Sequence, residues 1–395
     1  MKRLLKISFD SLVFSLIPIL QWFVLGIFVD SNLINVFSVT YPLQFIYNLL
    51  KSAFGISPNI YALKEKNKNA VMSGIVFGII FSIVIFGLFL INVDNFISFM
   101  NMDTTIYHNF CSYSIIQLCV HSIFVLVIEK LYYEEKNTAA NIHTIIFNSL
   151  NLILIIIFSL ISKNQLFIIT ETLIGLITYV LVMFVIHFDR FKLDLSIFKS
   201  IKYDLVDFCD SILFFLIFLF GLSNAATFGV KYLAAMNFVA LITDCQWDSF
   251  ESISEAAKID LAKNKFDYKK SRKNAYKLLF LLLSSTMLMF LIMFRFYDLN
   301  IYLVLIYLSV EVINFLIYPI YKLKTCYLTL EYSSIKMTFN KFIASGIRVV
   351  SSFLPTPFCT ILGQIISAFY QLISTNIIIR KKERNETWWF KVWIW

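Results

Sequence analysis

An all-α polytopic membrane protein, with twelve transmembrane helices in two six-helix lobes, is predicted by three features of this 395-residue chain. Apolar runs long enough to span a bilayer recur along it, basic residues gather in alternate loops, and its two halves repeat. Hydrophobic residues make up 59% and charged residues only 15%, whereas soluble domains carry about a quarter charged residues. Runs of about 20 apolar residues, each enough to cross roughly 30 Å of hydrocarbon, lie near 10–29, 33–55, 70–92, 108–128, 141–162, 165–187, 204–226, 232–254, 274–296, 299–321, 336–354 and 357–379. The opening "MKRLLKISFDSLVF" has a signal-like charged start without a small-residue cleavage site after it, so it reads as a retained first span.

Charge sets the expected orientation. The loops after odd-numbered spans hold only Lys163, Lys231 and Arg295, while nearly all other bases lie at the termini or after even-numbered spans. Short basic loops stay on the cytoplasmic side, so both termini are expected there, in a cytoplasmic membrane. The net charge of +9 therefore reads as topology and not as a nucleic-acid surface. "KIDLAKNKFDYKKSRKNAYK", after span eight, is expected to set topology and to touch anionic lipid. The tail 381–395, basic then rich in tryptophan, is expected to lie along the inner leaflet. High Phe, Ile, Lys, Asn and Tyr with low Ala and Gly suggests an AT-rich bacterial genome.

The halves repeat in parallel. "DSLVF" at 10–14 answers "DSILF" at 210–214, and "ISPNIYALKEKNK" at 56–68 answers "ISEAAKIDLAKNK" at 253–265. Six spans per half is an even number, so both halves enter from the same side, an arrangement in which substrate passes between lobes. The expected domains are an N-terminal lobe at 1–190, a cytoplasmic linker at 191–203, a C-terminal lobe at 204–380 and the tail.

With these features the chain resembles the multidrug and toxic compound extrusion (MATE) family, within the wider MOP superfamily that includes oligosaccharide-lipid flippases. Pro18 and "GIFVDS" in span one, the long polar exit of span two in "VTYPLQFIYNLLKSAFGISPNIYALKEKNKNA", and "NSLNLILIIIFSLI" in span five carry the resemblance. The departures are only 10 glycines, "EEKNTAAN" where the family has Gly-Asp-Thr after span four, and a shorter chain. The resemblance implies a V-shaped antiporter of two lobes, acting as a monomer, that exports cationic or amphipathic compounds against H⁺ or Na⁺. It also puts Asp30 at the family's first-span acidic position.

The sharpest feature read from the residues themselves is an acidic stripe. Asp244, Asp248, Glu251 and Glu255 recur at helical spacing in span eight. A lipid-facing acid near a helix centre costs about 2.5–3.5 kcal/mol, so the stripe is expected to meet water or a cation. At the repeat offset Asp248 corresponds to Lys51, and an alternating Lys51–Asp248 pair is expected during transport. Glu311 and Arg348 are expected to bridge spans ten and eleven, and Asn148 and Asn151 to hydrogen-bond neighbouring helices. His121 and Glu171 are lone ionisable groups in spans. Asp207 and Asp210 open span seven, where a helix start favours acids.

No enzymatic apparatus is expected. Six cysteines (Cys111, Cys119, Cys209, Cys245, Cys326, Cys359) lack CxxC spacing and read as small apolar residues. The four histidines (His108, His121, His143, His187) are dispersed with no zinc pattern, and no phosphate-binding glycine loop is present, so neither a metal nor another cofactor is expected. The leading reading is an ion-coupled exporter. Its alternatives are a flippase for a lipid-linked oligosaccharide or peptide precursor, a membrane enzyme, or a non-transporting membrane partner.

Overall fold

The computed structural model describes residues 20, 24–27, 31–162, 164–201, 205–262, 266–297, 299–331 and 334–385. Among them every regular element is a helix, and contacts divide the chain into two compact units, within 17–233 and from 234 onward. Helices stand where spans two to twelve were expected, whereas Pro18, Asp30 and most of span one lie outside the described residues. Seven of the described helices are long and apolar enough to cross a membrane: Leu33–Leu63, Asn69–Ile91, Thr104–Tyr133, Thr138–Ile161, Gln165–His187, Ile301–Thr329 and Cys359–Lys381.

The first of these is one rod with a widened middle. A 3-10 turn at Ser31–Asn35 leads into α1 (Val36–Leu50), a π-helical turn (Lys51–Ile56) and α2 (Ser57–Glu65). Pro58 explains the widening: it has no N–H for the Phe54 carbonyl four residues back, and its ring crowds that carbonyl unless the turn opens. The helix outlasts the expected span end at 55, because "SPNIYALKE" stays helical after its hydropathy falls.

The first unit continues through α3 (Asn69–Ile91), α4 (Val93–Phe99), α5 (Thr104–Tyr133), α6 (Asn137–Ile161), α7 (Gln165–His187), the short α8 (Ile197–Ser200) and α9 (Leu205–Thr227). Local chemistry marks the helix starts. Asp103 Oδ1 accepts from the Thr105 N–H at 2.8 Å, and Asn164 Oδ1 accepts from the Leu166 N–H at 3.0 Å, satisfying donors that a helix leaves free. The turn after α9 passes through Gly229 at φ 120, a backbone conformation that side chains with a Cβ rarely adopt.

Lipid is as apolar as leucine, so helices in a membrane associate by close fit and polar contacts. α3 lies so near the π turn that a Cβ on Gly74 would fall 2.6 Å from the Phe54 carbonyl oxygen. Ser82 and Ser122 share a buried hydrogen bond of 2.8 Å between α3 and α5. Phe124 and Phe147 stack at 4.3 Å in a core with Leu176, Val180 and Met183. α9, placed by the sequence at the start of the second lobe, groups here with the first unit by packing on α1: Phe45 stacks on Phe214 and Phe218 at 5.4 and 5.3 Å.

The second unit comprises α10 (Val230–Ala262) from Ala234 onward, then α11 (Tyr268–Met293), α12 (Ile301–Glu331), α13 (Ser334–Ser351) and α14 (Cys359–Asn385). Its core gathers Ile253, Ala257 and Leu261 of α10 with Leu278, Leu282, Phe315 and Leu323.

Candidate functional site

The π turn brings a membrane-embedded base to a partner that hydropathy does not reveal. Lys51 Nζ stands 3.3 Å from Glu129 Oε1 on α5. The pair is half-sheltered, with the Lys51 side chain 36% and the Glu129 side chain 12% exposed. Neighbouring contacts bind the two helices: Asn59 Nδ2 donates to the Glu129 carbonyl at 2.9 Å, and a Cβ on Gly55 would lie 3.0 Å from Glu129 Cγ. His121 lies about two turns from Glu129, against Tyr47, with ring centroids 4.9 Å apart. Glu129 follows the expected end of span four by one residue, so an apolar-run reading assigns it to the loop. Asp248, the expected partner of Lys51, has a side chain outside the described residues, as do Asp244, Glu251 and Glu255.

The backbone of that acidic stretch is helical throughout. At 3.6 residues per turn, positions 244, 248, 251 and 255 share one side of α10, and the buried Ile253 and Ala257 occupy the opposite side.

Glu311 of α12 is the buried carboxylate of the second unit. Its Oε2 accepts from the Trp247 indole N–H at 3.1 Å and from Gln364 Nε2 at 3.2 Å, which ties α10, α12 and α14 together. Trp247 is held in turn against Phe315 and Tyr318, at 4.5 and 5.3 Å. Arg348 of α13 is near enough for its charge to act on Glu311. Trp247 and Gln364 thus both donate to Glu311, one of the two residues of the expected bridge. Asn151 accepts from the Tyr113 hydroxyl of α5 at 3.4 Å, whereas Asn148 donates at 3.1 Å to the Thr144 carbonyl of its own helix, since an amide one turn on reaches its own backbone first.

A third polar cluster closes one end of the first unit. Lys130, only 4% exposed, reaches Glu134 and Asp189 at 2.7 Å each and the His187 carbonyl at 2.8 Å. Such full pairing is what permits burial of an ammonium. The Lys130 hydrogen bond holds the Asp189 carboxyl below the usual carboxylate range. Desolvation pushes Glu134 upward, but hydrogen bonds from Lys130 and Lys136 outweigh it and leave Glu134 lowered. Among the described residues no group of three or more His, Cys, Asp or Glu side chains is placed to hold a metal ion.

No protein-family model and no curated relative matches the sequence itself. Solved structures do match the architecture. The chain aligns over 96% of its length, and over 98% of the other chain, with an inward-facing multidrug resistance MATE family transporter of the MOP superfamily, at a TM-score of 0.70 and 12% identity.

The chain has the MATE fold.

A second MATE structure, the ligand-bound multidrug transporter DinF-BH, matches at a TM-score of 0.70 and 12% identity, over 96% of this chain and 95% of that one. A MOP superfamily transporter from Pyrococcus furiosus, described as having a binding pocket of reversed polarity, matches at 0.62 and 13%, over 96% of both chains. The MATE fold survives such divergence because one apolar side chain replaces another at little cost on a lipid-facing helix.

Proposed function

We propose that the chain is a MATE-type secondary transporter that exports cationic or amphipathic small molecules by alternating access, with H⁺ or Na⁺ as the coupling ion. The observation that carries this reading is the full-length likeness to MATE transporters combined with ionisable groups inside the helical units, where their cost makes function the default expectation. In this reading Asp30, Asp244, Asp248, Glu251 and Glu255 bind the cation or the coupling ion. Lys51 competes with that ion by pairing with Glu129 in one state and with Asp248 in another. The protein sits in the cytoplasmic membrane with both termini inside, as its basic loops predict.

The helical spacing of the four acids supports this reading, since carboxylates in an apolar helix need water or a cation as neighbour. The test is efflux of a fluorescent organic cation from proteoliposomes under an imposed H⁺ or Na⁺ gradient. Wild type is expected to move the dye against its gradient and Asp248→Asn to lose most of that rate. Dye movement indifferent to both gradients in wild type would end the coupled-export reading.

A further inference from the structure

The tertiary structure brings together two histidines that stand far apart in sequence. His143 near the start of α6 and His187 at the end of α7 face each other with Nε2 atoms 3.3 Å apart. We propose that they form a two-imidazole site for a borderline transition-metal dication, Zn²⁺ being the natural probe, which staples α6 to α7.

Four observations support the site. The first is spacing: two Zn–N bonds of about 2.0–2.1 Å at a tetrahedral angle hold their nitrogens about 3.3–3.4 Å apart, and the pair already stands at that separation. An N–H hydrogen bond favours a shorter distance, near 2.9–3.0 Å.

Second, the His143 tautomer suits a ligand. Its Nδ1 lies 2.8 Å from the Tyr179 oxygen, and the Tyr179 hydroxyl is directed at the His143 backbone carbonyl at 3.5 Å. With that hydroxyl donating to the carbonyl, its oxygen accepts from Nδ1–H, and Nε2 keeps its lone pair. A second partner fixing the outer nitrogen is the usual support of a metal-bound imidazole.

Third, the neighbouring cations are paired. The charged groups packed about His187 are Lys130 of α5, Glu134 and Lys136 just beyond it, and Asp189 just beyond α7. Both lysines are held in salt bridges, Lys130 to Glu134 and Asp189 and Lys136 to Glu134, which offsets their repulsion of an arriving dication. Fourth, both imidazoles are only partly buried, so a hydrated ion can enter and water can complete its coordination. The site is independent of the transport reading.

The test is Zn²⁺ titration of the full-length protein in detergent, in a buffer free of chelators, followed by calorimetry. One Zn²⁺ per chain with a micromolar dissociation constant is expected at pH 7.5. His143→Ala and His187→Ala are each expected to weaken it at least tenfold, and His108→Ala, which removes the imidazole paired with Asp94, to leave it unchanged. Binding is also expected to fail at pH 5, where protonated imidazoles cannot ligate. Cu²⁺ on the wild type provides a readout that needs no variant: its electron paramagnetic resonance spectrum is expected to show coupling to two imidazole nitrogens. No Zn²⁺ binding by wild type, binding that survives either substitution, or a Cu²⁺ spectrum lacking two nitrogens would overturn the proposal.

Discussion

The Lys51 ammonium stands 3.3 Å from the Glu129 carboxylate, across the interface between the π-helical turn and α5. This pair lies between the exposed case, worth about 0–1 kcal/mol, and the buried one, where removing a partner costs about 3–5 kcal/mol. Lys51→Met or Glu129→Gln is therefore expected to lower stability by about 1–3 kcal/mol. A double-mutant cycle on thermal unfolding in detergent checks the coupling. Additive single effects would show that the contact contributes nothing. In transport, Lys51→Asp combined with Asp248→Lys is expected to regain activity that either change alone removes, and a dead double variant would exclude that exchange.

Glu311 presents a separable pair of effects. Glu311→Ala strands the Trp247 indole N–H and the Gln364 amide, both partly buried, and a fully buried donor without a partner costs about 1–3 kcal/mol. A loss of about 2–4 kcal/mol is expected, read as a drop in the unfolding midpoint. Glu311→Gln keeps an acceptor oxygen, so it is expected to fold near the wild-type midpoint while losing ion-driven dye efflux. Wild-type efflux by Glu311→Gln would make this carboxylate a structural tie only.

Close packing of α3 supplies a prediction with its own control. A Cβ at residue 74 meets the Phe54 backbone oxygen at 2.6 Å and Pro58 Cγ at 2.7 Å, and neither can move aside cheaply. Gly74→Ala is expected to destabilise by about 1–3 kcal/mol. On the same helix Gly87 has nothing within 4 Å, so Gly87→Ala is expected to be neutral or mildly stabilising through helix propensity. Equal midpoints for the two variants would contradict the packing described.

Acid is expected to loosen the cluster around Lys130. The Asp189 carboxyl is held low first by its hydrogen bond from Lys130. A carboxyl with a folded pKa below its unfolded value of about 3.9 adds stability above that value and loses it as pH falls through the folded one. From about pH 5 downward the unfolding midpoint should therefore fall. Asp189→Asn should flatten that decline, while sharing the wild-type trend above about pH 6. An unchanged slope would show that Asp189 takes no part in it.

Much of the architecture is legible along the chain. Apolar length and basic loops mark the helices of spans two to twelve, and Pro58, Asp103, Asn164 and Gly229 mark local breaks and starts through chemistry that spans only a few residues. The acidic stripe of α10 is legible as a stripe, because helical spacing is local too. Hydropathy does not show that the helix of span two runs on to Glu65, since helical backbone continues through "SPNIYALKE" after hydropathy falls.

The pairings are not legible. The sequence by itself determined that Lys51, Glu311 and His121 are costly in their settings, since the penalty for burying a charge depends on the residue and its apolar neighbours along the chain. Only the tertiary structure decided that Lys51 meets Glu129, that Glu311 takes its hydrogen bonds from Trp247 and Gln364, and that His143 meets His187. Those contacts depend on how far each helix is rotated and slid against its neighbours. Small residues such as Gly74 and the opened turn before Pro58 set that fit, and hydropathy is blind to both.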